Sequence, residues 1–563
     1  MRRRIWLCTL FAVLPLSGCT EPNIMEPAYP HKSSISLVAF DSCAQLAKQM
    51  QDAAAKNVQR APLPVPEGAR AAVPAPTTPA FSGTNVHEIG ADEPDIVKTD
   101  GRRIVTVQDG VLRVIDPVTR AQTGRLDLGG TGSELLLSGN RALVLITALD
   151  RRIATPVPNH GPLLMPAGQS DLVLVDLSGP PTVISRYHGD GRVVDARQTG
   201  NVVRIVVAQS PALDYPPRTT SADTWLPKWE ITTGSTTAKG GVRCEDVLHP
   251  AAYSGASLLT VLTLNLFAPT MTFDQPVTVV SDGDTVYGTG SSLYIANDQG
   301  WRGSATTEIF KFALPESGAK PMLEATGQVP GDLLNQYALS EWDHHLRVAT
   351  TSGSASAVRV LESSNGRLVQ VGEVGGLGRD EQIYSVRFIG PRGYVVTFRQ
   401  IDPLYSLDLS DAAHPKVTGE LKISGYSAHL QPVGDNRLIG IGQEATTDGL
   451  RQGLQISLFD TTDPAAPRRL AQQVLPGSRS EAEFDPHALL WWPDTRLLVV
   501  PVLGQGALAL RVGDTTLQTA KRLDGATVRR ALVIGNELWT LTDTSLTAAN
   551  LSNLDQEGRV TFS

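Results

Sequence analysis

Beyond residue 92 the chain is written in short apolar runs of strand-forming residues, each bounded by a corner rich in Gly, Asn or Asp. The corners fall at Asp100-Gly101, Gly139-Asn140, Gly200-Asn201, Asp282-Gly283-Asp284, Gly390-Pro391, Gly434-Asp435-Asn436 and Gly535-Asn536, with weaker copies at Trp342-Asp343 and Pro493-Asp494. Gly and Asn accept the positive φ that tight hairpin turns demand, so a corner of this kind between two β-type runs predicts a hairpin. A third run follows and ends in Asp, as at 112–116 (LRVID), 172–176 (LVLVD), 404–408 (LYSLD) and 456–460 (ISLFD).

Where it is undecorated, this unit returns after about 40 residues, as between Gly101 and Gly139 or Gly390 and Gly434. Several strands per copy at that period predict an all-β fold of the β-propeller type, in which each copy is one small four-stranded sheet and closure into a ring protects the strand edges. The reading favours eight blades and leaves seven and nine open, because terminal units can share a blade. A single two-sheet sandwich would rarely need so long a chain. The region 209–253, with Trp225, Trp229 and Cys244, is too long for a blade turn and is expected to be a decorated loop over one face. The paired Trp491 and Trp492 are expected to pack between blades.

The first 80 residues follow a different pattern. Arg2, Arg3 and Arg4 precede an apolar run from Ile5 to Leu16, too short to span a bilayer of ~30 Å and fitting an export signal over 1–18. Leu16-Ser17-Gly18-Cys19 resembles a bacterial lipobox, which implies cleavage before Cys19 and acylation of that residue by palmitate-like chains. At roughly 0.8 kcal/mol per buried CH₂, several chains would hold the protein on a membrane face. No later run reaches 18 apolar residues. Within the anchored segment 19–80, residues 41–56 predict a capped, Ala-rich helix, and 61–80 carry six prolines that favour an extended spacer. The propeller then occupies 81–563. With Cys8 removed and Cys19 acylated, Cys43 and Cys244 remain, and an oxidising compartment invites a disulfide between them. Two separate buried thiols are the alternative.

Composition narrows the partners. The 563 residues are 41% apolar with a net charge of -8, so a packed core is expected and the basic stripe that nucleic acid requires is missing. The expected partner is an envelope protein, a polar small ligand or a glycan, and the membrane is met only through the lipid. No cofactor is expected, apart from the divalent cation that carboxylates in the channel could take.

The strand before each first corner should be innermost, with its polar residues on the channel. Those residues are Asp92, Glu93, Asp95 and Lys98; Asp195 and Arg197; Asn335, Gln336 and Tyr337; Tyr384 and Arg387; His429 and Gln431; Asp485 and His487; and Arg529 and Arg530. Such groups on one axis can bind a polar ligand, for which Asp92, Glu93, Asp95, Asp195, Arg197, Tyr384, Arg387, His429 and His487 are the candidates. Alternatively they pair with one another in a water-filled channel. Asp92, Glu93 and Asp95 offer hard oxygens to Ca²⁺ or Mg²⁺, and His429 with His487 offers imidazoles to Zn²⁺, although a calcium-loop spacing is missing. If the protein is a hydrolase or lyase, Asp485, His487, His429, Tyr384 and Arg387 are the groups to carry the reaction. No G-x-S-x-G elbow is present. The run 116–124 faintly resembles the docking signature of quinone-cofactor propellers, but Leu126 and Leu128 stand where a tryptophan is expected.

The stretch Thr84–Gly101, the runs 383–390 and 394–404, and the segments 408–411, 419–423, 438–442 and 456–460 together resemble the bacterial secreted β-propeller-domain family. The likeness spans about 81–550 and implies a propeller in an exported or lipid-anchored envelope protein. It implies no reaction. His87 stands where the family's opening motif has Gln.

Overall fold

The computed structural model describes residues 37–57, 80–130, 132–149, 168–210, 221–250, 257–273, 276–298, 306–398, 402–446 and 449–562. The expected signal, Cys19 and nearly all of the Pro-rich spacer lie outside these residues.

Apolar alternation and tight corners give four-stranded antiparallel meanders, and among the described residues there are nine of them. In chain order they are blade 1 (97–127), blade 2 (133–190), blade 3 (192–209 with 258–280), blade 4 (285–330), blade 5 (339–377), blade 6 (382–423), blade 7 (426–476), blade 8 (490–523) and blade 9 (530–561). The favoured count of eight is therefore one short. No blade is shared between the termini, since blade 9 is built wholly from the end of the chain. Eight of the nine corners fall at or beside the first hairpin of a blade. Gly283 instead precedes blade 4, whose first hairpin turns at 289–291.

Each pair of successive blades shares a buried apolar layer, and the series closes on itself. Val107, Leu112 and Val114 of blade 1 pack with Leu135, Val144 and Val173 of blade 2. At the other end, Val97, Ile104 and Ile115 of blade 1 pack with Leu532, Trp539 and Leu546 of blade 9. Trp492 lies between blades 8 and 9, and Trp491 packs on the layer between blades 7 and 8, as expected of that pair.

The terminal Asp of the third strands has a local role. Asp116, Asp176, Asp408 and Asp460 each accept the backbone N–H two residues on, at 2.8, 2.9, 3.1 and 3.0 Å, so one carboxylate closes the turn into the fourth strand. The recurring Asp is turn chemistry.

The two ends of the meanders differ. Connections from first to second strand never exceed four residues, whereas those from second to third include 150–167 and 210–257. Because strands alternate in direction, all long second-to-third connections emerge on the same face as the links between blades. Only the described parts of 210–257 can be placed. They extend the outer edges of two blades rather than forming a loop over one face. The hairpin Lys228–Thr233 with Thr236–Gly241 adds to the outer strand of blade 2, and Val247–Pro250 adds in parallel to the outer strand of blade 3.

On that extension sits the N-terminal segment. Leu37–Ala39 pairs with Val247–Pro250, and helix α1 (Cys43–Asn57) buries Leu46, Met50 and Ala53 against Trp225, Leu226, Val242 and Val247. Its apolar positions recur at three- and four-residue spacing, which makes the stripe. Ser42 Oγ accepts the Gln45 N–H at its start. A disulfide joins Cys43 to Cys244 with Cα atoms 5.3 Å apart. The Met50→Ala variant should weaken this docking by about 2–5 kcal/mol, the cost of an incompletely collapsed cavity. Hydrogen exchange should then quicken in α1 while blade 6 stays protected; uniform quickening would contradict an independently docked helix.

Candidate functional site

The axis of the ring is occupied by the chain itself. Phe81 bridges Ile534 at the end of the first strand of blade 9, and its ring lies over the first hairpin of blade 1. There Gly101, at φ +80°, leaves the room: a Cβ would fall 2.5 Å from the Phe81 ring. Residues 84–96 then wind through the hub before becoming blade 1.

Seven other blades, or the turns that enter them, hold this segment. Asn85 Nδ2 donates to Gln431 Oε1 of blade 7 and to Pro486 O at the entry to blade 8. His87 Nε2 stands 3.0 Å from Leu339 O of blade 5, and Tyr287 of blade 4 donates its hydroxyl to Glu88 at 2.8 Å. Asp92 exchanges backbone hydrogen bonds with Gln198 of blade 3, and Asp95 does the same with Leu135 of blade 2. Arg530 of blade 9 donates to Asp95 Oδ1 at 2.7 Å.

Glu93 is the centre of the network and is only 1% exposed. Its carboxylate lies 3.0 Å from His487 Nε2 and 3.6 Å from Arg197 Nη2, and it accepts the His87 N–H at 3.3 Å and the Gln336 amide at 3.4 Å. Arg197 also reaches Asp195 at 2.7 Å, Val286 O and the Gln336 side chain. Lys98 Nζ donates to Asp92 at 2.7 Å, Thr84 at 2.6 Å and Glu93 O at 2.5 Å. Arg530 joins Asp95 to Asp485, the second contact being 2.5 Å. Buried charges are tolerated when they are paired and hydrogen-bonded in this way.

Of the predicted polar residues, Arg197, Gln336, Gln431, His487 and Arg530 hold the threaded segment, whereas Arg529 pairs with Glu481 and Asp543. Not all ride on strands: Gln336 and Tyr337 lie in the 3₁₀ turn Gln336–Ala338, and His487 in the turn Pro486–Ala488, which Asp485 caps by accepting its N–H. Of the five groups named for catalysis, Asp485 and His487 are neighbours, with Oδ1 and Nδ1 3.8 Å apart, but each is also engaged elsewhere. His487 binds Glu93, and Asp485 binds Arg530. Tyr384 packs edge-on to Phe398 and Tyr426 on the blade 6–7 side. His429 and Arg387 are buried. Nor do Asp92, Glu93 and Asp95 converge as hard ligands, because Lys98, His487 and Arg530 respectively engage them. Among the described residues no group of three His, Cys, Asp or Glu side chains is placed to hold a metal ion. Sequence reading gave Asn85, His87 and Glu88 no site role, although they lie in the Thr84–Gly101 stretch that carries the family resemblance; that polar, Pro-interrupted stretch has no strand period to place its side chains.

The hub sets three histidines in different states. Burial and the neighbouring Arg387 hold both His87 and His429 down at about 3, from an ordinary 6.5. Burial also opposes charge on His487, but the Glu93 hydrogen bond and the carboxylates of Asp95 and Asp485 outweigh it and raise its pKa. Neutral burial of His87 and His429 contributes stability above pH 6.5 that is lost as pH falls from 6.5 towards 3. The His487 contribution is complete below 6.5 and is lost as pH rises through its raised pKa. The thermal midpoint should therefore fall on both sides of neutrality, and His429→Gln should flatten the acid limb in melts followed by circular dichroism. An unchanged acid limb would contradict a neutral His429. Removing one partner of the buried Asp95–Arg530 pair, as in Asp95→Ala, should cost about 3–5 kcal/mol in denaturant titration.

A beta propeller domain model matches residues 81–554. An uncharacterized protein of Methanocaldococcus jannaschii is 37% identical over 251 residues, which is 43% of this chain and 38% of that protein. Another, from Archaeoglobus fulgidus, is 37% identical over 238 residues, 42% of this chain and 35% of that one. The matches thus span little more than a third of these relatives. Among solved structures, the periplasmic gluconolactonase PpgL of Pseudomonas aeruginosa aligns with 54% of this chain and 91% of its own at 13% identity and a TM-score of 0.36, a likeness too slight to bear on activity. The repeated meanders, the closed ring and the match over 81–554 lead to one conclusion: the chain belongs to the beta propeller domain family.

Proposed function

We propose that the protein is a lipid-anchored, extracytoplasmic propeller that serves as a binding or scaffolding module in the bacterial cell envelope. The observation that carries this reading is the filled hub: Glu93, Asp95, Arg197, His487 and Arg530 are engaged with the threaded segment. What remains for a partner is the outer surface. On the face with the long connections, Leu450, Phe484 and Leu503 are exposed apolar side chains on the links of blades 7 and 8. Arg479 stacks 4.9 Å from the Phe484 ring, and its carbonyl accepts the Leu503 N–H. An apolar site rimmed by a cation suits an envelope protein or a glycan. The lipobox-like 16–19 supports the anchor, and the Cys43–Cys244 disulfide suits an oxidising compartment.

Two measurements test the reading. Palmitate-analogue labelling should mark the wild type and miss Cys19→Ala, which should leave the membrane fraction; an unlabelled wild type ends the anchor. Photocrosslinkers placed at Leu450 and Leu503 should trap the same adduct in envelopes, while those at Asn140 and Asn536 on the opposite face should not. Adducts from the tight-turn face alone would overturn the choice of surface.

A further inference from the structure

Three buried cations of the hub are paired with carboxylates, and Arg387 is not. Lys98, Arg197 and Arg530 each have a carboxylate oxygen within 2.7 Å. Arg387, on the innermost strand of blade 6, is fully buried, yet its Nε, Nη1 and Nη2 have no hydrogen-bond partner. No carboxylate among the described residues forms an ion pair with it. Glu88, whose charge it does feel, is engaged by the Tyr287 hydroxyl. A guanidinium keeps its proton in a protein, so neutralisation does not relieve this burial as it does for a lysine.

A second unsatisfied atom belongs to the same neighbourhood. His87 faces the Leu339 carbonyl through Nε2, and a carbonyl only accepts, so the proton is on Nε2 and Nδ1 carries a lone pair. That Nδ1 is buried and has no partner. Tyr337 and Tyr287 stand edge-on to the ring at 4.2 and 5.2 Å, which fixes its orientation. The strand that carries Arg387 packs on the turn Gln336–Ala338, whose Tyr337 stands against the His87 ring, and the effect of Arg387 on both His87 and His429 agrees with that placement.

The two sets of orphans are complementary. Arg387 offers up to five N–H donors and a positive charge, while His87 Nδ1 asks for a hydrogen. A halide answers only the first demand. An oxyanion that retains a hydroxyl answers both: its charged oxygens accept from the guanidinium fork, and its O–H donates to the imidazole. We propose that Arg387 and His87 hold one small hydroxyl-bearing oxyanion inside the hub, bicarbonate or hydrogenphosphate. The ligand completes the charge balance of blade 6 as Asp195 and Asp95 do for blades 3 and 9. Since Arg387 has no exposed surface, the anion enters as the hub forms and exchanges only when it opens. This inference does not depend on the anchor or on the partner-binding face.

The test uses the full chain, unfolded and refolded in ¹⁴C-bicarbonate, in ³²P-phosphate or in chloride at one ionic strength, then desalted. The wild type should retain one of the two labels stoichiometrically and melt higher in that anion than in chloride. Which label is retained identifies the ligand. Arg387→Gln should keep none and melt alike in all three. Folded wild type that retains neither label and melts alike in all three overturns the proposal, leaving water as the occupant, and it does so whether or not the variant folds.

Discussion

Everything at the axis depends on satisfying the Glu93 carboxylate while it is shut away from water. An isolated carboxylate there would be prohibitive, so the surroundings must supply donors from several directions. They come from far apart in the chain: His87, Arg197, Gln336 and His487 lie on the threaded segment and at the inner edges of blades 3, 5 and 8. A single anion thus fixes the radial position of blades that share no apolar layer with one another.

Ring size explains why such a device is present. Nine four-stranded sheets leave a wider axis than side chains from the inner strands can close, and a wide bore would be a polar, hydrated tube. Residues 84–96 fill it with chain, and seven of the other blades or the turns that enter them present a group for that segment to bind. Asp92 and Asp95 borrow strand-like pairing from Gln198 and Leu135, so the segment behaves locally as an added inner strand.

What the amino-acid sequence makes legible here is whatever is local. The hairpin corners and the Asp that ends the third strand of blades 1, 2, 6 and 7 act over two to four residues, and both are readable because glycine's φ and a carboxylate's reach are short-range properties. The corner of blade 4 was misplaced because the Thr289 hydroxyl makes its turn by accepting the backbone N–H groups of Ser291 and Ser292 and gives no Asn-Gly signal. The pairing of Cys43 with Cys244 followed from elimination, not from geometry. The threaded hub was not legible: the polar residues announced an axis, but their partners lie hundreds of positions away, and no periodicity encodes that separation. The same holds for α1, whose apolar stripe was visible while its seat on the extension of blade 3 was not.

The threading of residues 81–96 also orders assembly in time. Phe81 and Ser82 need Ile534 and Val533 before they can pair, and Asp95 needs Arg530. Residues 81–96 therefore wait for blade 9 to be synthesised before they can settle, and the search spans more than 400 positions of the chain. Individual meanders can form early, but the ring cannot lock blade by blade as the chain emerges. A chain cut short anywhere before blade 9 would keep its sheets and lose the keystone that seats them.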